Sequence, residues 1–198
     1  MLDIVIATRN RHKFRELKAL LRLPGIRWHA LDEFPRVAVV NETGRTFEAN
    51  ARRKALDVAR ATGCLALADD SGLEVEALRG APGVRSARFA VGHGDDQTNN
   101  QKLLRLLGQR PMSQRRARYR CSLALASPTR IIRVVQGHWE GRIAFRPAGL
   151  RGFGYDPVFL VPRFGKTVGE LPSRVKQRLS HRAVAARRMR VVLGRLTE

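Results

Sequence analysis

The residues best suited to chemistry in this chain are the adjacent acids Asp69 and Asp70, which follow the apolar run Leu65-Ala66-Leu67-Ala68 and precede Ser71-Gly72. Two neighbouring carboxylates need balancing charge. Side chains alternate along a strand, so the pair is expected to point to opposite faces. One acid can then hold a metal ion or take a proton while the other forms structural hydrogen bonds. The apolar run reads as a buried strand with the acids at its carboxyl end, where open α/β sheets place ligands. Ser71 offers a hydroxyl to a phosphate, and Gly72 lets backbone approach a ligand closely. An Asp-Asp pair is also ordinary turn and cap chemistry, so its meaning depends on what accompanies it.

Three other groups accompany it. The segment Thr8-Arg9-Asn10-Arg11-His12-Lys13 opens a helix. Asn10 suits the N-cap, and the Lys13 ammonium can fold back to an anion at the positive helix tip, the logic of a phosphate loop without a G-x-x-x-x-G-K-[ST] run. Gly152-Phe153-Gly154-Tyr155-Asp156-Pro157 combines free backbone, aromatic faces and an acceptor carboxylate, a set suited to a base or ribose and equally to a plain loop with two core aromatics. Ser180-His181-Arg182 follows Lys176 near the last helix. The chain contains no H-E-x-x-H, no nucleophile elbow and no G-x-G-x-x-G fingerprint.

The elements that must position these groups read as an α/β chain. Residues 2–7 predict a buried strand, and Phe14, Leu17 and Leu21 predict a helix stopped by Pro24-Gly25. A weak strand is expected near Arg36–Val40, a turn at Asn41–Gly44, and a helix capped near Thr46 and ended by Gly63. Leu73–Glu76 reads as a separate short strand and residues 80–94 as a loop. A helix capped near Asp95–Thr98 carries Leu103, Leu104 and Leu107. Residues 118–126 and 130–138 predict a hairpin about Ser127-Pro128-Thr129, and the last helix carries Leu179, Ala186, Met189, Leu193 and Leu196 on one face.

Composition narrows the class. The 198 residues are 43% hydrophobic, enough for a folded core in one domain spanning 1–198. No apolar run reaches membrane-spanning length, and the N-terminal run is too short for a signal peptide, so a cytoplasmic location is expected. Cys64 and Cys121 stand apart and read as reduced thiols. The net charge is +21, with six lysines and 32 arginines among the basic residues. The arginines are spread along the chain with few interleaved aromatics, which favours a solvated basic surface over a nucleic-acid interface; anionic substrates would still be steered in.

In order and spacing these motifs resemble the inosine triphosphate pyrophosphatase family, the bacterial dITP/XTP pyrophosphatases or Ham1-like proteins. The resemblance runs from about Ile4 to about Leu193. Its carriers are Ala7-Thr8-x-Asn10-x-x-Lys13-x-x-Glu16-Leu17, Glu42-Thr43-Gly44-x-Thr46-Phe47-x-x-Asn50-Ala51-x-x-Lys54-Ala55 and Ala68–Leu73. They continue through Gly80–Phe89, Asn99-Asn100-x-Lys102-Leu103-Leu104, Gly152–Pro157 and Ser180–Arg182. The resemblance implies an elongated mixed β-sheet flanked by helices, with two lobes around a central nucleotide cleft. It implies hydrolysis of ITP, dITP and XTP to the monophosphate and pyrophosphate, a Mg²⁺ cofactor and a homodimer. By position, Asp70 corresponds to the catalytic acid and metal ligand. Thr8 to Lys13 and Ser71 correspond to phosphate contacts, and Phe153, Gly154, Tyr155, Asp156, Lys176, His181 and Arg182 to nucleotide contacts. Arg182 suits the O6 of hypoxanthine or xanthine, where adenine presents a donor instead. Asn41 stands where the family usually has a metal-binding acid; Glu42 beside it is the candidate second metal ligand, with the Asn41 carbonyl oxygen as the alternative, and Arg85 stands where the family often has Tyr. The related Maf-like pyrophosphatases are the alternative, against which the Ser180-His181-Arg182 segment argues.

Overall fold

A computed structural model of the chain describes residues 1–38, 40–90 and 95–197. Seven strands form one mixed sheet in the order β2-β1-β3-β4-β5-β6-β7. They are β1 (Leu2–Ile6), β2 (Ile26–Ala30), β3 (Leu65–Val75), β4 (Arg116–Ala126), β5 (Ile131–Ile143), β6 (Phe159–Val161) and β7 (Lys166–Thr167). The helices are α1 (Arg11–Leu20), α2 (Phe47–Thr62), α3 (Asp96–Leu107), α4 (Ser173–Leu179) and α5 (His181–Thr197). Strand β1 pairs in parallel with β2 and β3, while β6 runs antiparallel to β5 and β7. No described helix is long and apolar enough to cross a membrane.

The chain divides into two compact units: Met1–Asp70, Cys121–Gly137 and Arg182–Glu198 form the first, and Ser71–Arg120 with His138–His181 the second. In the first unit both sheet faces are covered. On one, Ile4, Ile6, Leu67, Leu123 and Leu125 pack against Leu17 of α1, Leu21 just after it, and Ala185, Ala186, Met189 and Leu193 of α5. On the other, Val5, Ala66, Ala68, Ala124 and Ala126 meet Ala51, Ala55 and Ala59 of α2, and the small residues on both sides let helix and sheet approach closely. The second unit packs Leu73, Val75, Tyr119, Trp139 and Phe159 from its strands around Leu103 and Leu107 of α3.

Local signals place several elements where the sequence predicts them. Asn10 caps α1, its side chain accepting from the Lys13 amide. Thr46 caps α2 through the Ala49 amide, and Gly63 ends it in the left-handed conformation at φ 71°. Asp95 caps α3.

Other elements depart from expectation. The segment near Arg36–Val40 forms no strand among its described residues, and Val39 lies outside them; the second strand is Ile26–Ala30, which pairs with β1. Asp69–Gly72 sits inside one continuous eleven-residue strand, so Leu73–Val75 is its continuation and the acids are not at a strand end. Within the expected loop, Gly83–Arg88 forms a 3-10 turn, and residues 91–94 lie outside the described ones. The last helix is two helices, because Ser180 is extended (φ −63°, ψ 157°) between α4 and α5. Leu179 therefore belongs to α4, and Leu196 is 40% exposed, off the buried stripe.

Candidate active site

Alternation along β3 decides the surroundings of the two acids. Leu67 and Asp69 share the face covered by α1 and α5, while Ala66, Ala68 and Asp70 share the face covered by α2.

On the first face Asp69 meets fixed cations. Its Oδ1 accepts from Lys13 Nζ at 3.0 Å, and its Oδ2 accepts from Arg182 Nε at 2.7 Å and, weakly, from the buried Cys121 thiol at 3.5 Å. Arg182 also donates through Nη1 to Glu16 at 2.5 Å. Burial pulls the Arg182 pKa down, but the Asp69 and Glu16 carboxylates outweigh it, and the net displacement is upward. Burial, reinforced by Asp69, pushes the Cys121 thiol well up, which makes it a poor nucleophile.

On the second face Asp70 is buried with weaker compensation. Asn50 Nδ2 donates to its Oδ2 at 3.1 Å, and Lys54 Nζ lies 4.0 Å from its Oδ1. Lys54 sits closer to Glu42, at 2.5 Å, and also donates to the Asp69 carbonyl at 3.3 Å. Burial raises the Asp70 pKa to about 6 against the pull of Lys54 and Lys13, with Glu42 adding to the rise. Asn50 is itself fixed, since its Oδ1 accepts from the Gly44 amide at 2.7 Å. A Cβ at Gly44 would lie 2.5 Å from that oxygen, so the turn before α2 needs glycine there.

The Thr8–Lys13 segment forms a capped turn in the same unit. Thr8 Oγ1 accepts from the Asn10 amide, Arg9 donates to the Val37 carbonyl at 2.8 Å, and Arg11 and His12 are exposed.

In the second unit Asp156 is the hub. Its Oδ2 accepts from Lys176 Nζ at 2.6 Å and the Phe153 amide at 2.9 Å, and its Oδ1 accepts from the Tyr119 hydroxyl at 3.2 Å. Gly152, at φ 81°, could carry no side chain, because a Cβ would lie 2.0 Å from Asp156 Oδ2. Lys176 lies over the Phe153 ring at 4.2 Å. Gly154 donates to Asp96 and accepts from Asn100. His181 stacks on Tyr119 with centroids 4.6 Å apart and planes 12° apart. Tyr155 is a core residue whose hydroxyl donates to the Ser86 carbonyl, and burial raises its pKa. Ser71 is half-buried on β3. A separate cavity of about 630 Å³ in this unit, lined by Glu74, Arg79, Arg116, Arg118 and Arg142 among others, contains none of the residues expected to be catalytic, metal-binding or substrate-binding.

The expected residues thus divide between the units: Thr8–Lys13, Glu42, Asp70 and Arg182 lie in the first, and Ser71, Phe153–Asp156, Lys176 and His181 in the second. Sequence reasoning left Asn50, Lys54 and Tyr119 without roles. The first two were carried only as members of the Glu42–Ala55 motif, though their i, i+4 spacing puts them on one helix face, and Tyr119 was marked by nothing local.

The donor set suits a magnesium ion. Glu42 and Asp70 are hard oxygen donors that already flank one cation, the Lys54 ammonium, and Mg²⁺ commonly takes one or two carboxylates together with substrate phosphates. Among the described residues no cluster of three His, Cys, Asp or Glu donors forms, so the phosphates and water would complete the shell.

Comparison with known proteins decides what carries this arrangement. The Ham1 family model matches residues 4–192. The chain belongs to the Ham1 family. A dITP/XTP pyrophosphatase from Desulforamulus reducens is 48% identical over 195 residues, covering 98% of this chain and 97% of that protein. The protein of the same name from Bacillus subtilis is 44% identical, with 98% of each chain covered. The structure of a HAM1 protein from Coxiella burnetii superposes with a TM-score of 0.90 at 41% identity, over 98% of this chain and 100% of that one. The mixed α/β sheet described above is the Ham1 fold, and its motif residues are contained in the matched span.

Proposed function

We propose that this Ham1 family chain hydrolyses non-canonical purine nucleoside triphosphates (ITP, dITP and XTP) to the monophosphate and pyrophosphate. The activity follows the names of its relatives, and the observation that carries it here is the state of Asp70. A buried carboxyl near pKa 6 is ionised at neutral pH yet basic enough to take a proton from water, the poise a general base needs. Water attacks the α-phosphorus, its proton passes to Asp70, and the α–β bridging P–O bond breaks to release pyrophosphate. Lys13 and Lys54 place ammonium charge beside the two acids and can offset negative charge gathering on the leaving group. Asp70 and Glu42 are the residues that would hold Mg²⁺, which when bound neutralises triphosphate charge.

The Phe153–Asp156 loop, Lys176 and His181 are assigned to the nucleoside, and Thr8–Lys13 with Ser71 to the phosphates. Selection of the 6-oxo base is assigned to Arg182. Its guanidinium is buried and tied to Asp69 and Glu16. A donor to O6 in the base site would be left unpaired by adenine. A homodimer in the cytoplasm completes the reading.

The test is pyrophosphate release with Mg²⁺ from ITP, dITP and XTP against ATP and GTP. The reading expects a preference for the first three of at least tenfold in kcat/KM; equal rates on all five would overturn it.

A further inference from the structure

We propose that Tyr119 is a positioning residue for nucleotide binding, joining His181 to the Phe153–Asp156 loop through one side chain. The proposal rests on the nucleotide reading of that cluster and goes beyond it, since no motif assigned a role to this position.

Three contacts converge on the residue. Its ring is stacked on His181, with centroids 4.6 Å apart and planes only 12° apart. Its ring also meets Phe159 of β6, tilted at 37° with centroids 4.5 Å apart. Its hydroxyl donates to Asp156 Oδ1 at 3.2 Å. Tyr119 is 7% exposed and lies within β4, so its backbone is set by the sheet. A ring held by a strand on one side and by Phe159 on another has little freedom, and it passes that rigidity to what it touches.

Each partner is placed where rigidity matters. Asp156 shapes its own loop by accepting from the Phe153 amide and from Lys176, and Lys176 in turn lies over the Phe153 ring. Fixing Oδ1 therefore fixes the loop backbone and the cation–aromatic pair together. His181 opens α5 directly after the extended Ser180. A near-parallel stack sets the plane of its ring. Preorganising both partners spares a bound nucleotide part of the ordering cost, and that gain appears in binding and not in the chemical step.

The test separates ring from hydroxyl and nucleoside from phosphate. Tyr119→Phe keeps both ring contacts and loses the hydrogen bond; Tyr119→Leu loses both. KM and kcat for ITP are measured with inhibition by IMP and by inorganic pyrophosphate. The expected result is a KM for ITP raised about threefold in Y119F and at least tenfold in Y119L, with kcat within about threefold of wild type in both. IMP inhibition should weaken in parallel with KM, while pyrophosphate inhibition stays within twofold of wild type.

Unchanged KM and IMP inhibition in Y119L would overturn the proposal. So would a parallel loss of kcat, IMP and pyrophosphate binding, which marks damage to the fold alone. If Y119L does not fold, the Y119F split between IMP and pyrophosphate decides the matter alone. A wild-type protein that binds IMP but shows no preference for ITP would overturn the substrate reading while leaving the Tyr119 test intact.

Discussion

Asp69 and Asp70 are covalent neighbours of the same residue type, and the fold gives them opposite electrostatics. Asp69, with its side chain fully inaccessible, is answered by Lys13 and Arg182 at hydrogen-bond distance. Asp70 has an amide donor at 3.1 Å and an ammonium at 4.0 Å that is held more tightly by Glu42. One carboxylate is saturated by charge and serves as an anchor. The other is desolvated without full compensation and keeps capacity for a proton or a metal ion. The difference comes from strand alternation, which sends the first to the face of α1 and α5 and the second to the face of α2. Burial alone does not make a carboxylate reactive; what decides is how much positive charge is already bound to it.

The largest effect should come from making Asp70 resemble an amide. Asp70→Asn removes the proton acceptor, and kcat should fall about 10³-fold, within the range of general-base contributions. Pyrophosphate release under saturating ITP measures it, and a loss below tenfold would remove Asp70 from the chemistry. The corresponding change on the other face should act on stability. Asp69→Asn leaves Arg182 buried with one carboxylate in place of two and deprives Lys13 of its partner. Breaking a buried pair this way costs about 3–5 kcal/mol, readable by urea denaturation. A destabilisation under 1 kcal/mol would show that Asp69 is not the anchor.

How much of this contrast was legible in the sequence depended on range. The caps at Asn10 and Thr46 and the stop at Gly63 rest on atoms within a few positions, and their residue types announced them. The expectation that the acids split between faces needed only the period of a strand. The continuity of β3 was hidden, because Asp-Asp-Ser-Gly has turn composition and poor strand propensity. It is held in the sheet by partners 20, 56 and 113 positions away, Asn50, Lys13 and Arg182, which no local window contains. Likewise β2 reads Ile-Arg-Trp-His-Ala, too mixed to announce a strand, and exists through its parallel pairing with β1. The Tyr119 contacts to Asp156 and His181 were illegible for the same reason.

The same Asp70→Asn change should raise stability, in contrast to its neighbour. A carboxyl whose folded pKa sits near 6 instead of 3.8 binds its proton more tightly folded than unfolded. The fold therefore loses stability as pH rises from about 4 through 6, by about 1.4 kcal/mol per pKa difference of one. At pH 7 the amide should be more stable than the acid by about 2–3 kcal/mol in metal-free protein. The gain should vanish below about pH 4, where wild-type Asp70 is protonated in both states. An Asp70→Asn variant less stable than wild type at pH 7 would mean that Asn50 and Lys54 compensate the charge in full.

The smallest expected effect isolates the ammonium of Lys54, 4.0 Å from the Asp70 carboxylate. Lys54 is the strongest charge opposing the upward displacement at Asp70, though its closest contact is Glu42. Lys54→Met should therefore raise the Asp70 pKa further above 6, followed by the carboxyl carbon resonance in metal-free protein. The acid limb of kcat/KM should move to higher pH with it, because the base must be ionised to act. Added Mg²⁺ should drive the resonance the other way, since a dication held by Asp70 and Glu42 would supply more positive charge than the missing ammonium. If Lys54→Met left the Asp70 titration in place, the incomplete compensation that separates Asp70 from Asp69 would have to come from Lys13 and Asn50. The two faces of β3 would then share their principal cation instead of dividing it.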